Sequence, residues 1–112
     1  VIYLEKEMEN FLKVLGDETR LKIIDFINRG KRTSIEIQEA LKKSQSTISQ
    51  HMKVLVEEDI LTFDRDSAKK LYRIKNPEIL NIISIINAYL EQRNHQKVEE
   101  ISDSAISDTL KV

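Results

Sequence analysis

The chain contains no cysteine, which excludes disulfides, thiolate metal sites and cysteine redox sensing together. Glycine occurs twice and proline once, so breaks are few and each marks a boundary between elements. No apolar run approaches the ~20 residues that a membrane helix needs, because Asn81, Ser84 and Asn87 interrupt the longest one. The N-terminus carries acids and no basic-then-apolar signal pattern, so a cytoplasmic address is expected. Nucleophile–base pairs, glycine-rich phosphate loops and carboxylate clusters are also missing. An enzyme is therefore not expected, and neither is a cofactor.

What remains is an ordinary globular balance in 112 residues, 40% apolar and 33% charged, enough for one compact core. The net charge of −1 argues against a polyanion partner until its distribution is read. Between Arg20 and Lys53 there are eight basic residues (Arg20, Lys22, Arg29, Lys31, Arg32, Lys42, Lys43, Lys53) against three acids, Asp25, Glu36 and Glu39. A second basic group, Lys69, Lys70, Arg73 and Lys75, follows. Much of the compensating acid lies at the ends, in Glu5, Glu7 and Glu9 and in Glu99, Glu100, Asp103 and Asp108. A basic middle between acidic flanks is the footprint of a nucleic-acid face.

Periodicity predicts four helices, a hairpin and a last helix. Tyr3, Leu4, Met8, Phe11, Leu12 and Leu15 recur at helical spacing, with Gly16 ending the run. Asp17 caps a second helix with the stripe Leu21, Ile24 and Ile27, closed by Gly30. Thr33 and Glu36 form a capping box opening a third helix through Lys43, and Ser44 caps a fourth from Gln45 to about Glu58. Alternation then predicts strands around Leu61 and Phe63 and around Tyr72 and Ile74, joined by a polar turn from Asp64 to Lys69. Asn76-Pro77 opens the last helix. Its apolar residues Ile79, Leu80, Ile82, Ile83, Ile85, Ile86, Tyr89 and Leu90 exceed the ~100° stripe that a monomer buries. The surplus predicts a second surface to cover it, most simply a copy of the same chain.

The stretch Thr33 to Leu55 places two short helices about a tight polar turn, the layout of a helix-turn-helix. A wheel of the fourth helix puts Ile48, Met52 and Leu55 toward the core, with Ser46, Ser49, Gln50 and Lys53 opposite. That outer face is short, polar and free of carboxylates until Glu57. Ser and Gln read base edges in a major groove, and Lys meets phosphate or guanine. His51 falls beside the core stripe and is expected to be packed rather than a ligand.

Residues Leu15 to Ile24 (LGDETRLKII) resemble the L-x-D-x-T-R-L-x-I-L entry helix of ArsR-type winged-helix repressors. Residues Ser44 to Leu55 (SQSTISQHMKVL) resemble that family's recognition-helix signature, and the hairpin Ile60 to Lys75 sits where its wing does. The likeness spans about Phe11 to Leu90. It implies a mainly α fold with a small β-hairpin wing, a winged helix-turn-helix whose dimer is joined through the first and last helices. By that resemblance base reading falls on Gln45, Ser46, Ser49 and Gln50. Backbone contact falls on Thr47 and Lys53 and on the wing residues Arg65, Lys69 and Lys70. The dimer interface falls on Leu4, Met8 and Phe11 with Ile79, Ile82, Ile83, Ile86, Tyr89 and Leu90.

Departures from the family matter equally. Its C-x-C metal positions on the third helix are Thr33 and Ile35 here, neither a soft-metal ligand, so no metal site is expected. Glu91, His95 and Glu99 share a helical face, but charged residues near a helix end usually just face solvent. Asp59 stands where the family has a glycine. Residues 1–98 read as one DNA-binding and dimerisation domain, and 99–112 as a tail, disordered or a short docked helix. The expected function is sequence-specific binding of double-stranded DNA by a homodimeric transcription regulator, a repressor on a pseudo-palindromic operator. The rival is a winged-helix module that binds protein instead, which apolar exposed wing residues would favour. No effector is legible.

Overall fold

The computed structural model describes the backbone of residues 2–110 and the side chains of residues 4–102. The order is α1 (Ile2–Leu15), α2 (Glu18–Asn28), α3 (Ser34–Leu41), α4 (Gln45–Glu57), β1 (Leu61–Asp66), β2 (Lys69–Ile74) and α5 (Glu78–Leu110). It divides into two units, Val1–Asn76 and Pro77–Val112. No helix among the described residues is long and apolar enough to cross a membrane.

Each helix boundary has a polar cause. Asp17, in extended conformation, accepts from the Arg20 N–H at 3.0 Å and so caps α2. Arg20 turns the other way: its Nε donates to the Val14 carbonyl at 2.8 Å and its Nη2 to that of Lys13 at 3.3 Å. One cation thus satisfies carbonyls left over at the end of α1, where positive charge also suits the helix dipole. Gly30 follows α2 at φ +151, a conformation that L side chains rarely adopt. Thr33 and Glu36 form the full capping box, and Ser44 accepts from the Thr47 N–H at 3.2 Å. Lys42 takes the left-handed conformation, φ 54, and stops α3 at Leu41, short of the Lys43 that periodicity predicts.

The end of α4 accounts for Asp59. Its φ of 60 makes it the left-handed residue of a Schellman closure, with Ile60 N–H donating to Leu55 at 3.0 Å and Asp59 N–H to Val56 at 3.1 Å. Glycine would adopt that backbone without penalty. Here Lys75 Nζ meets Asp59 Oδ1 at 2.7 Å, so the acidic corner has a cation of its own.

Leu15, Ile23, Ile24, Ile27, Ile37, Ile48, Met52, Leu55, Ile60 and Leu61 are buried in the first unit. The α4 core stripe is the one the wheel predicts. On α2 the stripe is rotated: Ile23 lies on one flank of Ile24 and Leu21 on the other, and the core takes Ile23 while Leu21 stays exposed. The hairpin is longer and its turn tighter than alternation predicts. Pairing runs from Leu61↔Ile74 to Asp66↔Lys69, leaving Ser67 and Ala68 to turn, with Ser67 at φ 58. Polar residues at the tip hide the strand pattern because that end of the ladder is exposed on both faces. Arg32 adds a bridge to the free edge of β2, its N–H donating to Tyr72 at 3.1 Å and its carbonyl accepting from Tyr72 at 2.8 Å.

In the second unit α5 runs for 33 residues, about 50 Å at 1.5 Å per residue. It continues to Leu110, so the stretch expected as a separate tail is a continuation of the same helix as far as that residue. Nothing after Pro77 breaks it, since no glycine or proline follows. The side chains of the expected tail beyond Ser102 lie outside the described residues.

The rotated α2 stripe is testable by urea denaturation. Ile23→Ala should lose about 2–5 kcal/mol of stability, and Leu21→Ala about 0.5–1 kcal/mol. The reverse ranking would contradict this core.

Candidate nucleic-acid interface

The turn at residues 42–44 and the caps on either side fix α4 against α3, with Ile48 and Leu55 fully buried. Every fourth-helix residue assigned to base reading then faces outward: Gln45, Ser46, Ser49 and Gln50 are exposed. Ser46 shares a 3.3 Å hydroxyl contact with Ser44, while Gln45, Ser49 and Gln50 make no side-chain hydrogen bond among the described residues. Thr47 is half-buried and accepts from the Ser44 hydroxyl at 2.9 Å, so its oxygen already serves the cap. Lys53 lies 3.9 Å from Glu57, an exposed pair worth little.

Strand register organises the hairpin. Phe63 opposes Tyr72 and Arg65 opposes Lys70, so an aromatic pair and a cation pair share the face on which Leu61 is buried. The two rings meet edge to face at 5.6 Å. Lys70 lies over Phe63 at 4.6 Å and Arg65 at 5.9 Å, which steers both cations along that face. Lys69 makes no ion pair among the described residues. Asp64, on the other face, is held by Lys31 at 3.3 Å and Arg73 at 3.1 Å, and the Lys31 hydrogen bond leads in drawing its carboxyl below the usual range. Arg73 is therefore tied down, whereas Lys70 sits over a ring and Lys69 acts on Glu36 only through space, so neither is held by an ion pair among the described residues.

Ser49 and Lys53 from α4 and Lys70 from β2 line one groove, together with Ser34. The structure so brings recognition-helix and hairpin residues onto one surface. Gln45, Ser46 and Gln50 lie outside that groove, on the exposed surface of the same helix. Ser34 and the Phe63–Tyr72 pair are additions that sequence reasoning missed. Strand alternation already carried the signal for the aromatic pair, since residues 63, 65, 70 and 72 have the parity of one face.

His51 Nδ1 stands 4.0 Å from Asp17 Oδ1, linking α4 to the cap of α2 with the imidazole only 20% exposed. Of the positions where the resemblance puts soft-metal ligands, Thr33 is used in the capping box and Ile35 is an exposed hydrocarbon. His95 pairs with Glu99 at 3.0 Å, and no group of three potential metal ligands exists among the described residues.

The family model described as bacterial regulatory protein, arsR family, matches residues 17–62, which hold the α2 cap and the whole helix-turn-helix. An arsenical resistance operon repressor from Staphylococcus aureus is 34% identical over 82 residues, covering 73% of this chain and 79% of that protein. The chain belongs to the arsR family. A second arsenical resistance operon repressor, from Staphylococcus xylosus, is 37% identical over 79 residues, 70% of this chain and 75% of that one. Among solved structures, the homodimeric winged helix-turn-helix DNA-binding domain Mb0332 from Mycobacterium bovis superposes with a TM-score of 0.74 at 20% identity, covering 81% of this chain and 84% of that one. The arsR-family protein thus has the winged helix-turn-helix fold, and the expectation of a regulator rather than an enzyme agrees with its relatives.

The caps of this arsR-family protein predict its acid sensitivity. Backbone N–H donation from Arg20 lowers the Asp17 carboxyl, and donation from Thr33 lowers Glu36. Groups lowered on folding contribute stability above the unfolded carboxylate range, and that contribution is lost as pH falls through their folded values. Asp17→Asn keeps a good capping oxygen but removes the titration. It should change stability at pH 7 by less than about 1 kcal/mol and flatten the loss of stability below about pH 4. An acid limb as steep as that of the wild type would contradict the role given to Asp17.

Proposed function

We propose that this chain is a homodimeric repressor that binds a pseudo-palindromic operator in double-stranded DNA, with α4 in the major groove and the hairpin on the backbone. One observation carries the reading. The solvent face of α4 presents Gln45, Ser49 and Gln50, whose side chains make no hydrogen bond among the described residues, and its Ser49 and Lys53 share a groove with the hairpin cation Lys70. Gln45, Ser46, Ser49 and Gln50 are the base readers, since short polar groups at the start of a recognition helix reach base edges. Thr47, Lys53, Arg65, Lys69 and Lys70 contact phosphates. Of the exposed hairpin residues, Arg65, Asp66, Ser67, Lys69 and Lys70 are polar and only the small Ala68 is apolar, which disfavours a protein-binding wing.

The dimer forms through α1 and α5. Leu4, Met8, Ile82, Ile86 and Tyr89 are exposed on a single chain, with Ile86 at 43% and Tyr89 at 63%, and Phe11, Ile83 and Leu90 are half-buried. Such residues want cover. Ile79 is different: at 6% exposure it is already buried in one chain and offers a partner almost nothing. The homodimeric state of the Mycobacterium bovis domain supports a homodimer, though not a particular seam. In this reading residues 1–98 hold DNA binding and dimerisation, and the protein works in the cytoplasm beside the DNA. The arsenical repressors are named for their operons. With no cysteine, this chain has no thiolate with which to sense a soft metal.

Two measurements test the proposal. Ser49→Ala or Gln50→Ala should weaken binding to the operator by about 1–3 kcal/mol and to random duplex hardly at all, as read by fluorescence anisotropy. Equal losses on both duplexes would show that α4 positions without reading. In sedimentation, the wild type should be a dimer at micromolar concentration, and Ile86→Asp, which forces a charge into the seam at several kcal/mol, a monomer. A dimeric Ile86→Asp protein would remove α5 from the interface.

A further inference from the structure

The first turn of α3 and the hairpin line an open cleft of about 530 Å³, a volume within the range of small-molecule sites. Its apolar walls are Ile35, Ala68 in the hairpin turn and Tyr72, with Thr33 and Ser34 beside them. Its rim is cationic, formed by Arg65, Lys69 and Lys70. One carboxylate lines it, Glu36, and that group is occupied. Thr33 donates to Glu36 Oε1 from its N–H at 3.0 Å and from its hydroxyl at 3.1 Å, and Arg32 stands 3.9 Å from Oε2. The Tyr72 hydroxyl makes no hydrogen bond among the described residues, and burial raises its pKa, so it stays a donor at neutral pH.

DNA phosphates explain the rim but not the walls. A lone exposed isoleucine is ordinary. Ile35 is 60% exposed and forms one side of a recess with a tyrosine ring and three cations around it. That pairing of hydrocarbon with positive charge matches an amphipathic anion, whose ring is covered by the walls while its carboxylate takes charge-assisted hydrogen bonds from the rim.

We infer that this cleft binds a small organic carboxylate with an apolar, ring-sized body, and that the bound carboxylate competes with the DNA backbone for Arg65, Lys69 and Lys70. The competition rests on the DNA-binding reading above; the binding itself does not.

The probe is 1-naphthoate, with 1-naphthalenemethanol as its uncharged counterpart, titrated into the full chain and followed by amide NMR shifts. Naphthoate should give saturable shifts at Ser34, Ile35 and Ala68, and the alcohol should bind at least about tenfold more weakly. Ile35→Asp and Ala68→Asp place a like charge on opposite walls at exposed positions, and each should weaken naphthoate about tenfold or more while amide dispersion reports the fold. Saturating naphthoate should weaken duplex binding about tenfold. Absent shifts at these amides, equal affinity for the alcohol, or wild-type affinity in a folded variant would each overturn the site. Unchanged duplex affinity under saturating naphthoate would overturn the competition. A chain that binds naphthoate here but no duplex at all would sink the DNA-binding reading and leave the cleft standing.

Discussion

Two backbone hydrogen bonds between Arg32 and Tyr72 hold the hairpin to the helices, and much of the surface chemistry follows from them. Arg32 immediately precedes Thr33, the cap of α3, so the edge of β2 is tied to the residue where the helix-turn-helix begins. The Arg32 guanidinium stacks over Phe26 at 4.2 Å, which anchors the same residue to α2. Its Nε is buried without a hydrogen-bond partner among the described residues. Leaving such a donor unmet is unfavourable by about 1–3 kcal/mol, and stacking on the ring offsets part of it. With β2 held there, strand parity turns Phe63 and Tyr72 inward and sends Arg65 and Lys70 along the same face toward the tip.

Polar side chains in this protein divide into those consumed by the fold and those left over. Asp17, Arg20, Thr33, Glu36 and Ser44 satisfy helix ends. Asp64 gathers Lys31 and Arg73, and Asp59 takes Lys75. Gln45, Ser49 and Gln50 have no such task among the described residues, and Lys69 only a through-space attraction to Glu36. Other exposed polar groups, among them Asn10, Glu39 and Lys42, also make no side-chain bond among the described residues, so position rather than freedom marks the set on α4 and the hairpin. The same division bears on the net charge of −1: Asp25, Glu36, Asp59 and Asp64 are spent on caps and ion pairs.

Much of this was legible beforehand because helix caps and helical periodicity are local. The Thr33–Glu36 box, the Ser44 cap and the Ile48, Met52, Leu55 stripe needed only spacing and appear as expected. The choice of Ile23 over Leu21 was not legible, since both flank Ile24 and only packing decides between them. Nor was the length of the hairpin, whose exposed tip lacks alternating hydrophobicity. The partner of Asp59 was hidden because Lys75 lies sixteen residues away and reaches it only after the hairpin returns. The cleft by Ile35 was hidden for the same reason. It joins α3 to the hairpin turn, and no local pattern records that meeting.

The central claim is a division of labour, with α4 reading bases while the hairpin neutralises phosphates. The most direct test is the salt dependence of duplex affinity for the Lys69→Ala/Lys70→Ala protein beside the wild type. The account predicts that the slope of log affinity against log salt falls by about two units, with operator and random duplex weakened alike. An unchanged slope, or a loss confined to the operator, would contradict it.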